Sequence, residues 1–188
     1  MDATLIKNGT TYTVRFERDL PHAPEKVWRA LTEREHLRKW FPSDVLGGWE
    51  VGSKLQFVFP DEVAGIVAEE DMRGEVLAME PGRILEFSWG PNSVFRVELA
   101  AEGAGSRLIL SETIAEASLA ARQAAGWEVC LESLDAVLAS GEAPAFEMDC
   151  WKAPFERYVA KFEPVAGAQQ GPPAGHPGVD AESGERLD

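Results

Sequence analysis

The sequence has few of the residues that build metal, cofactor or disulfide sites. Its 188 residues include two cysteines, Cys130 and Cys150, whose number and spacing fit neither a disulfide framework nor a zinc motif. Cys130 lies in a helical pattern, which favours a small buried thiol. The three histidines, His22, His36 and His176, fall in separate predicted elements and do not suggest a shared metal. No glycine-rich phosphate loop or nucleophile-elbow serine is present, so we expect no metal and no cofactor.

Positive charge and long apolar runs are also scarce. The chain has 18 Lys and Arg residues against 32 Asp and Glu residues, a net charge of −14. A surface of this sign repels a phosphate backbone, so we expect no nucleic-acid partner. The nearest basic cluster, Arg34, Arg38 and Lys39, is interspersed with Glu33 and Glu35 and is typical of a solvated helix face. No apolar run approaches the roughly 20 residues of a membrane span.

The length and the change of composition near the C-terminus predict one domain with a short appendage. A chain of 188 residues suits a single domain. After Pro164 the sequence is rich in proline and glycine and has almost no bulky apolar residues. Such a segment cannot bury enough surface to offset its ordering entropy. We therefore predict a domain over residues 1–164 and a disordered acidic tail over residues 165–188. The N-terminus lacks the apolar core of a secretion signal, which predicts a cytoplasmic protein.

Alternation of apolar and polar residues predicts an antiparallel sheet. Thr11–Leu20 has the two-residue period of a half-buried strand, and Asn8-Gly9 can close a hairpin with the residues before it. From Val45 to Thr113 short alternating segments are separated by glycine and proline turns. This pattern indicates a meander of strands with one apolar face.

Three-residue and four-residue spacings predict the helices. Pro24 suits the first position of a short helix that ends near Thr32. Thr32 and Glu35 have the spacing of a capping box, which predicts a second short helix that carries Leu37, Trp40 and Phe41 and stops at Pro42. A long amphipathic helix is predicted over Ser118–Ser140 and ends at Gly141, and a shorter helix around residues 151–162 should pack outside it.

The order of these elements predicts the fold class. A sheet with one apolar face must be covered, and the long C-terminal helix is the only predicted element of sufficient length. We therefore predict an α+β fold in which a curved antiparallel sheet of six or seven strands wraps around that helix, with two short helices after the first strand.

Three segments in this order resemble the START-like (SRPBCC) superfamily and, within it, proteins similar to the C-terminal domain of the activator of heat-shock-protein-90 ATPase homologue. The segments are Pro24–Thr32 followed by Leu37 and Trp40-Phe41, Gly74–Leu77 leading to Pro81–Trp89, and Gly126-Trp127 in the final helix. The resemblance covers roughly residues 10–163. It implies a helix-grip fold with a deep cavity, framed at its mouth by the two short helices. It also implies a carrier or sensor of apolar ligands, although some superfamily relatives are cyclases or hydrolases.

The residues themselves predict where such a ligand would bind. Aromatic side chains lie on the inward phases of adjacent strands, and a straight helix on a curved sheet leaves apolar space between them. We expect this hollow to be lined by inward-facing residues of the sheet and the helices, namely Trp40, Phe57, Phe59, Phe87, Trp89, Phe95, Trp127, Leu131 and Leu134.

Glu112 is the one candidate acid or base. It points inward if Leu108 and Leu110 do, and burial would then raise its pKa. Strand ends commonly turn a carboxylate toward water, so exposure is favoured and no catalytic residue is assigned. Three hypotheses follow: a non-enzymatic binder of an apolar small molecule such as a lipid, a chaperone-associated interaction module of the stress response, and an enzyme on a hydrophobic substrate. A homodimer through sheet edges or Trp151 is compatible with each.

Overall fold

The structure is a computed structural model and describes residues 2–60, 72–144 and 150–171. These residues form eight strands and four α-helices, and a 3-10 turn at Ala117–Leu119 precedes the third helix. The elements are β1 Thr4–Asn8, β2 Thr11–Leu20, α1 Pro24–Thr32, α2 Arg34–Leu37, β3 Asp44–Leu46, β4 Lys54–Val58, β5 Arg73–Glu80, β6 Ile84–Trp89, β7 Ser93–Glu102, β8 Gly105–Ile114, α3 Ala120–Ser140 and α4 Lys152–Ala166.

One curved antiparallel sheet contains all eight of these strands. Its order is β1-β2-β8-β7-β6-β5-β4-β3, so neighbours in sequence are mostly neighbours in space. The exception is β2, which pairs with β8, the last strand in the sequence. The predicted hairpin at Asn8-Gly9 is confirmed, and Gly9 has the positive φ of 62° that this tight turn requires. The helix-grip fold class is confirmed, but the described residues contribute eight strands to the sheet rather than six or seven.

Strand β8 shows how the sheet separates core from surface. Alternate residues are buried, while the intervening ones are half-buried on the opposite face. The buried set is Ser106, Leu108, Leu110, Glu112 and Ile114. A carboxylate therefore shares one row with three aliphatic side chains on the face toward α3.

Helix α3 lies across that face and is held at its C-terminal end by two lysines. As predicted, the helix ends at Gly141, which has a φ of 87°. Lys26 Nζ in α1 donates to the Leu138 carbonyl at 2.5 Å, and Lys39 Nζ donates to the Gly141 carbonyl at 2.7 Å. Lysines at a helix C-terminus satisfy carbonyls that have no partner within the helix. The N-terminal helices are thereby fixed to the end of α3.

Helix α4 packs on the outside of α3, as the sequence predicted. Glu128 of α3 is buried and accepts hydrogen bonds from the Tyr158 hydroxyl and from Arg157 of α4. The Tyr158 hydroxyl also accepts the Ala3 N–H at 2.9 Å. One buried carboxylate thus ties α3, α4 and the start of β1 together.

The chain after α4 returns to the start of α3. The helix continues through Pro164 to Ala166. Beyond it, Gln169 Oε1 accepts the Ala121 N–H at 2.9 Å, and the Gln170 N–H donates to the Ser118 carbonyl at 2.8 Å. The rest of the predicted tail, residues 172–188, lies outside the described residues, so the predicted boundary stays a prediction.

The predicted second short helix is wrong in its extent and its cap. Thr32 Oγ donates to the Trp28 carbonyl at 2.8 Å inside α1 and caps no helix. Helix α2 has only four residues, Arg34–Leu37, and the turn that follows carries Lys39, which bonds to the end of α3. Trp40 and Phe41 consequently lie in turns between α2 and β3.

Candidate functional site

A cluster of aromatic side chains fills the space between the sheet and the N-terminal part of α3. We call it the aromatic cluster; its members are Trp40, Phe41, Trp49, Phe57, Phe59, Phe87, Trp89, Phe95 and Trp127. Most contacts are tilted or edge-to-face, the arrangements that the ring quadrupole favours. The sheet side and the helix side meet directly, since the Phe95 and Trp127 ring centroids are 4.8 Å apart.

Phe41 occupies the centre of this cluster. Its ring centroid lies 5.2 Å from Trp89, 5.6 Å from Phe95 and 5.5 Å from Trp127. It also contacts Trp40, with the ring centroids 5.5 Å apart. Phe41 is buried although it lies in a turn. A single side chain from an irregular segment therefore closes the space between sheet and helix.

This packing corrects the expectation of a large hollow. A cavity beside Phe41 has a volume of about 10 Å³, which is room for about one water molecule. It is lined by side chains such as Leu31, Trp40, Phe87 and Val97. The sequence indicated how many aromatic side chains face inward, but not that one of them plugs the space they surround.

The structure brings most of the predicted ligand-binding residues together. Phe57 and Trp89 are neighbours, with ring centroids 4.4 Å apart, and half-buried Phe59 lies 5.9 Å from Trp89 at the margin. Leu131 and Leu134 are fully buried in the core farther along α3 and do not line the remaining space. Their predicted contact with a ligand stays a prediction, as do the binding roles of the aromatic residues.

Phe41 and Trp49 are the members that the sequence-based prediction of the site missed. Both lie outside regular secondary structure, where periodicity does not indicate which way a side chain points. The available signal was the adjacent aromatic pair Trp40-Phe41 before Pro42, since large aromatic residues in a short connection are usually buried.

Glu112 lies at the α3 side of the aromatic cluster and is completely buried. It is opposite Phe95 in the sheet and accepts a hydrogen bond from Trp127 Nε1 at 2.6 Å. Gln123 Nε2 donates to its other carboxyl oxygen at 3.3 Å. The favoured expectation of an exposed carboxylate is wrong, because α3 covers the strand end and supplies these two donors.

Burial changes the acid strength of this group. Loss of solvation raises the pKa of Glu112 from 4.5 to about 7, against the hydrogen bonds with Trp127 and Ser93 and the charge of Arg122, which lower it. A carboxyl group with this pKa exchanges its proton near neutral pH and can donate as well as accept hydrogen bonds. Glu112 and Gln123 place polar atoms at the α3 side of the aromatic cluster.

A surface cleft of about 290 Å³ adjoins the aromatic cluster on the side of α2. Its lining includes Thr32, Arg34 and Val45. Leu37 and Trp49 line both this cleft and the small cavity beside Phe41. Trp49 is half-buried and donates from Nε1 to the Thr32 carbonyl at 2.7 Å. Leu37 and Trp49 thus border both the cleft and the aromatic interior.

The described residues hold no group of three or more His, Cys, Asp or Glu side chains that could bind a metal ion. Cys130 is half-buried and Cys150 is exposed, and His176 lies outside the described ranges. Among the helices of the described ranges, none is both long enough and apolar enough to cross a membrane.

A curved antiparallel sheet that grips a long C-terminal helix defines a START-like (SRPBCC) protein, a fold that in general provides a ligand-binding domain. The chain belongs to the activator of Hsp90 ATPase homolog 1-like protein family, whose model matches residues 21–139. This confirms the family resemblance of the sequence. No curated protein matches the chain significantly.

Several solved structures are similar to this one. A conserved protein of unknown function from Enterococcus faecalis has 22% identity and a TM-score of 0.71, with 87% of this chain and 91% of that chain covered. CalU16 from Micromonospora echinospora has 20% identity and a TM-score of 0.63, covering 85% and 93%. The Aha1 dimer from Colwellia psychrerythraea has 20% identity and a TM-score of 0.58, covering 70% and 98%. At these identities the likeness shows the fold.

Proposed function

We propose that the protein binds an apolar small molecule, of the lipid, polyketide-like or aromatic class, in the space that Phe41 occupies. The observation that carries this proposal is the position of Phe41. Its ring lies among Trp89, Phe95 and Trp127, yet it comes from a turn and not from the sheet or α3. A ring of similar size could take its place without rearrangement of either layer.

A ligand in this space requires the segment that carries Phe41 to move, against the bonds that Lys39 makes to the Gly141 carbonyl and Trp40 Nε1 to the Ala30 carbonyl. Residues 38–43 form turns between α2 and β3, with no strand pairing of their own. Ser43 is buried, and its hydroxyl has no hydrogen-bond partner among the described residues. A buried hydroxyl without a partner costs on the order of 1–3 kcal/mol. Displacement of the segment would hydrate Ser43, and this gain offsets part of the cost of withdrawing Phe41.

The proposal predicts that truncation of Phe41 strengthens binding. Phe41→Ala should lower the free energy of unfolding by about 3–5 kcal/mol and leave an apolar cavity. A cavity of about 150 Å³ with such walls binds benzene-sized molecules. We expect toluene and indole to raise the Tm of Phe41→Ala, and any apolar ligand of the wild-type protein to bind this variant at least about tenfold more tightly.

Phe162→Ala is the matched control, because Phe162 is also buried but packs against Tyr158 on α4. An apolar ligand of the wild-type protein should bind Phe162→Ala with unchanged affinity, because this cavity lies outside the aromatic cluster. Phe41→Leu serves if the alanine variant does not fold. A ligand whose affinity is the same for wild type and Phe41→Ala binds elsewhere, and a cavity variant that takes up neither toluene nor indole contradicts the proposal.

A second candidate function is acid–base catalysis on an apolar substrate, favoured by the burial of Glu112 and its pKa near 7. Such a group transfers protons efficiently at neutral pH. The test is conversion of a bound compound, followed by mass spectrometry, in wild type and Glu112→Gln. Conversion at the same rate in both proteins would remove Glu112 as the acid or base.

The family description also favours a protein partner of the chaperone type. Its test is the ATPase rate of an Hsp90 from the same source, measured with and without this protein. An unchanged rate, together with no co-sedimentation of the two proteins, would contradict that candidate.

A further inference from the structure

The cleft on the side of α2 is lined by both polar and apolar residues. Leu37, Val45 and Trp49 are apolar, Arg34 and Thr32 are polar, and the Thr32 carbonyl accepts the bond from Trp49. Leu37 and Trp49 also face the cavity beside Phe41. The Trp49 ring lies 5.8 Å from Phe87, so this member of the aromatic cluster borders both the cleft and the cavity beside Phe41. A ligand that enters from this cleft reaches Phe41 when Trp49 moves.

The charge at this mouth differs in sign from the charge of the chain. The protein has a net charge of −14, yet two guanidinium groups, Arg34 and Arg38, act on the single carboxylate of Asp44. Both keep the pKa of Asp44 below its usual range, the hydrogen bond from Arg34 most strongly. Arg29 and Glu33, one turn away, neutralise each other with a hydrogen-bond distance of 2.8 Å. Among the described residues that line the cleft, Arg34 is the charged one.

Arg34 presents the geometry that binds a carboxylate. Its Nε donates to Asp44 Oδ1 at 2.9 Å and its Nη2 donates to Oδ2 at 2.5 Å, which is the bidentate fork of guanidinium and carboxylate. The Arg34 side chain is 62% exposed, and an exposed pair of this kind contributes only about 0–1 kcal/mol. An incoming carboxylate can thus share the guanidinium groups or displace Asp44 at low cost.

We propose that the ligand is an apolar acid whose carboxylate stays at Arg34 and Arg38 while its ring or chain passes Trp49 into the aromatic cluster. This inference rests on the proposed binding function and adds the polar end of the ligand. A neutral molecule of the same shape fills the same apolar space but makes no ion pair with Arg34 or Arg38.

The test compares 2-naphthoate with 2-naphthalenemethanol, which share the ring system and differ in charge, by isothermal titration calorimetry. Wild type should bind the naphthoate at least about tenfold more tightly, and added NaCl should reduce this preference. Arg34→Gln should remove most of the preference. Asp44→Asn should strengthen naphthoate binding several-fold by releasing both guanidinium groups. Neither change should alter the affinity for the alcohol.

Arg83→Gln is the control, since it removes an exposed arginine that is paired with Glu80 in the turn between β5 and β6, outside the cleft lining, and should leave both affinities unchanged. Circular dichroism verifies that each variant is folded. Equal affinity for acid and alcohol, or a preference that survives Arg34→Gln, would contradict the proposal that the ligand has an anionic end. It would not contradict the proposal that the protein binds an apolar molecule. If neither compound binds wild type or Phe41→Ala, both the inference and the proposed function fail.

Discussion

At the scale of the residue, Glu112 links stability to pH. Its pKa is about 7 in the folded protein against 4.5 ordinarily, so the folded state holds its proton more tightly than the unfolded state does. The contribution of this group to stability is therefore complete below pH 4.5 and is lost as the pH rises through 7. The loss amounts to about 3 kcal/mol, since one pKa unit corresponds to about 1.4 kcal/mol.

Glu112→Gln isolates this effect, because glutamine has nearly the same shape and no charge. Relative to wild type, we expect the variant to gain about 3 kcal/mol of unfolding free energy between about pH 4 and about pH 8. Urea titrations monitored by circular dichroism measure both curves. Other titrating groups, including Asp135, contribute equally to both proteins and cancel. Parallel curves over this interval would show that Glu112 is not buried in its protonated form.

At the scale of the element, α3 contains two glycines with opposite roles. Gly126 lies inside the helix, and a methyl group there would meet no atom within 4 Å. Gly141 ends the helix with a φ of 87°, a conformation that other residues adopt at a cost. We expect Gly126→Ala to raise the unfolding free energy by about 0.5–1 kcal/mol and Gly141→Ala to lower it by about 1 kcal/mol. Urea unfolding measures both, and changes of the same sign would contradict this assignment.

The elements also show what a sequence can predict. Strand β2, Thr11–Leu20, and the end of α3 at Gly141 were predicted at their observed positions, because strict alternation and a glycine stop are local signals. The capping box at Thr32 was wrong, because its hydroxyl found a closer partner in the Trp28 carbonyl. The three-residue strand β3 is too short for alternation to identify, since its pairing with β4 and not its own pattern makes it a strand.

The candidate site was only partly predictable for the same reason. The inward phase of Glu112 follows from Leu108 and Leu110 on the same strand. Its burial depends on α3, whose Gln123 and Trp127 donate to the carboxylate only when the helix packs on the sheet. The central position of Phe41 likewise depends on tertiary packing around a turn.

At the scale of the whole molecule, two truncations test where the domain ends. A chain that stops after Gly171 keeps the bonds from Gln169 to Ala121 and from Gln170 to Ser118, and should unfold with an unchanged free energy. A chain that stops after Ala166 loses both and should be less stable by about 1–2 kcal/mol. Urea unfolding of both, against the full chain, is the measurement. Equal stability of the two would place the boundary near Pro164, as the composition predicted.

The position of Phe41 makes the tryptophan fluorescence of the protein sensitive to its interior. Three indoles, Trp40, Trp89 and Trp127, touch the Phe41 ring, and the Trp127 indole is bonded to Glu112. Any event that withdraws Phe41 or changes the charge of that carboxyl alters the surroundings of several fluorophores at once. Occupancy of the interior therefore changes the intrinsic emission spectrum of the unlabelled chain.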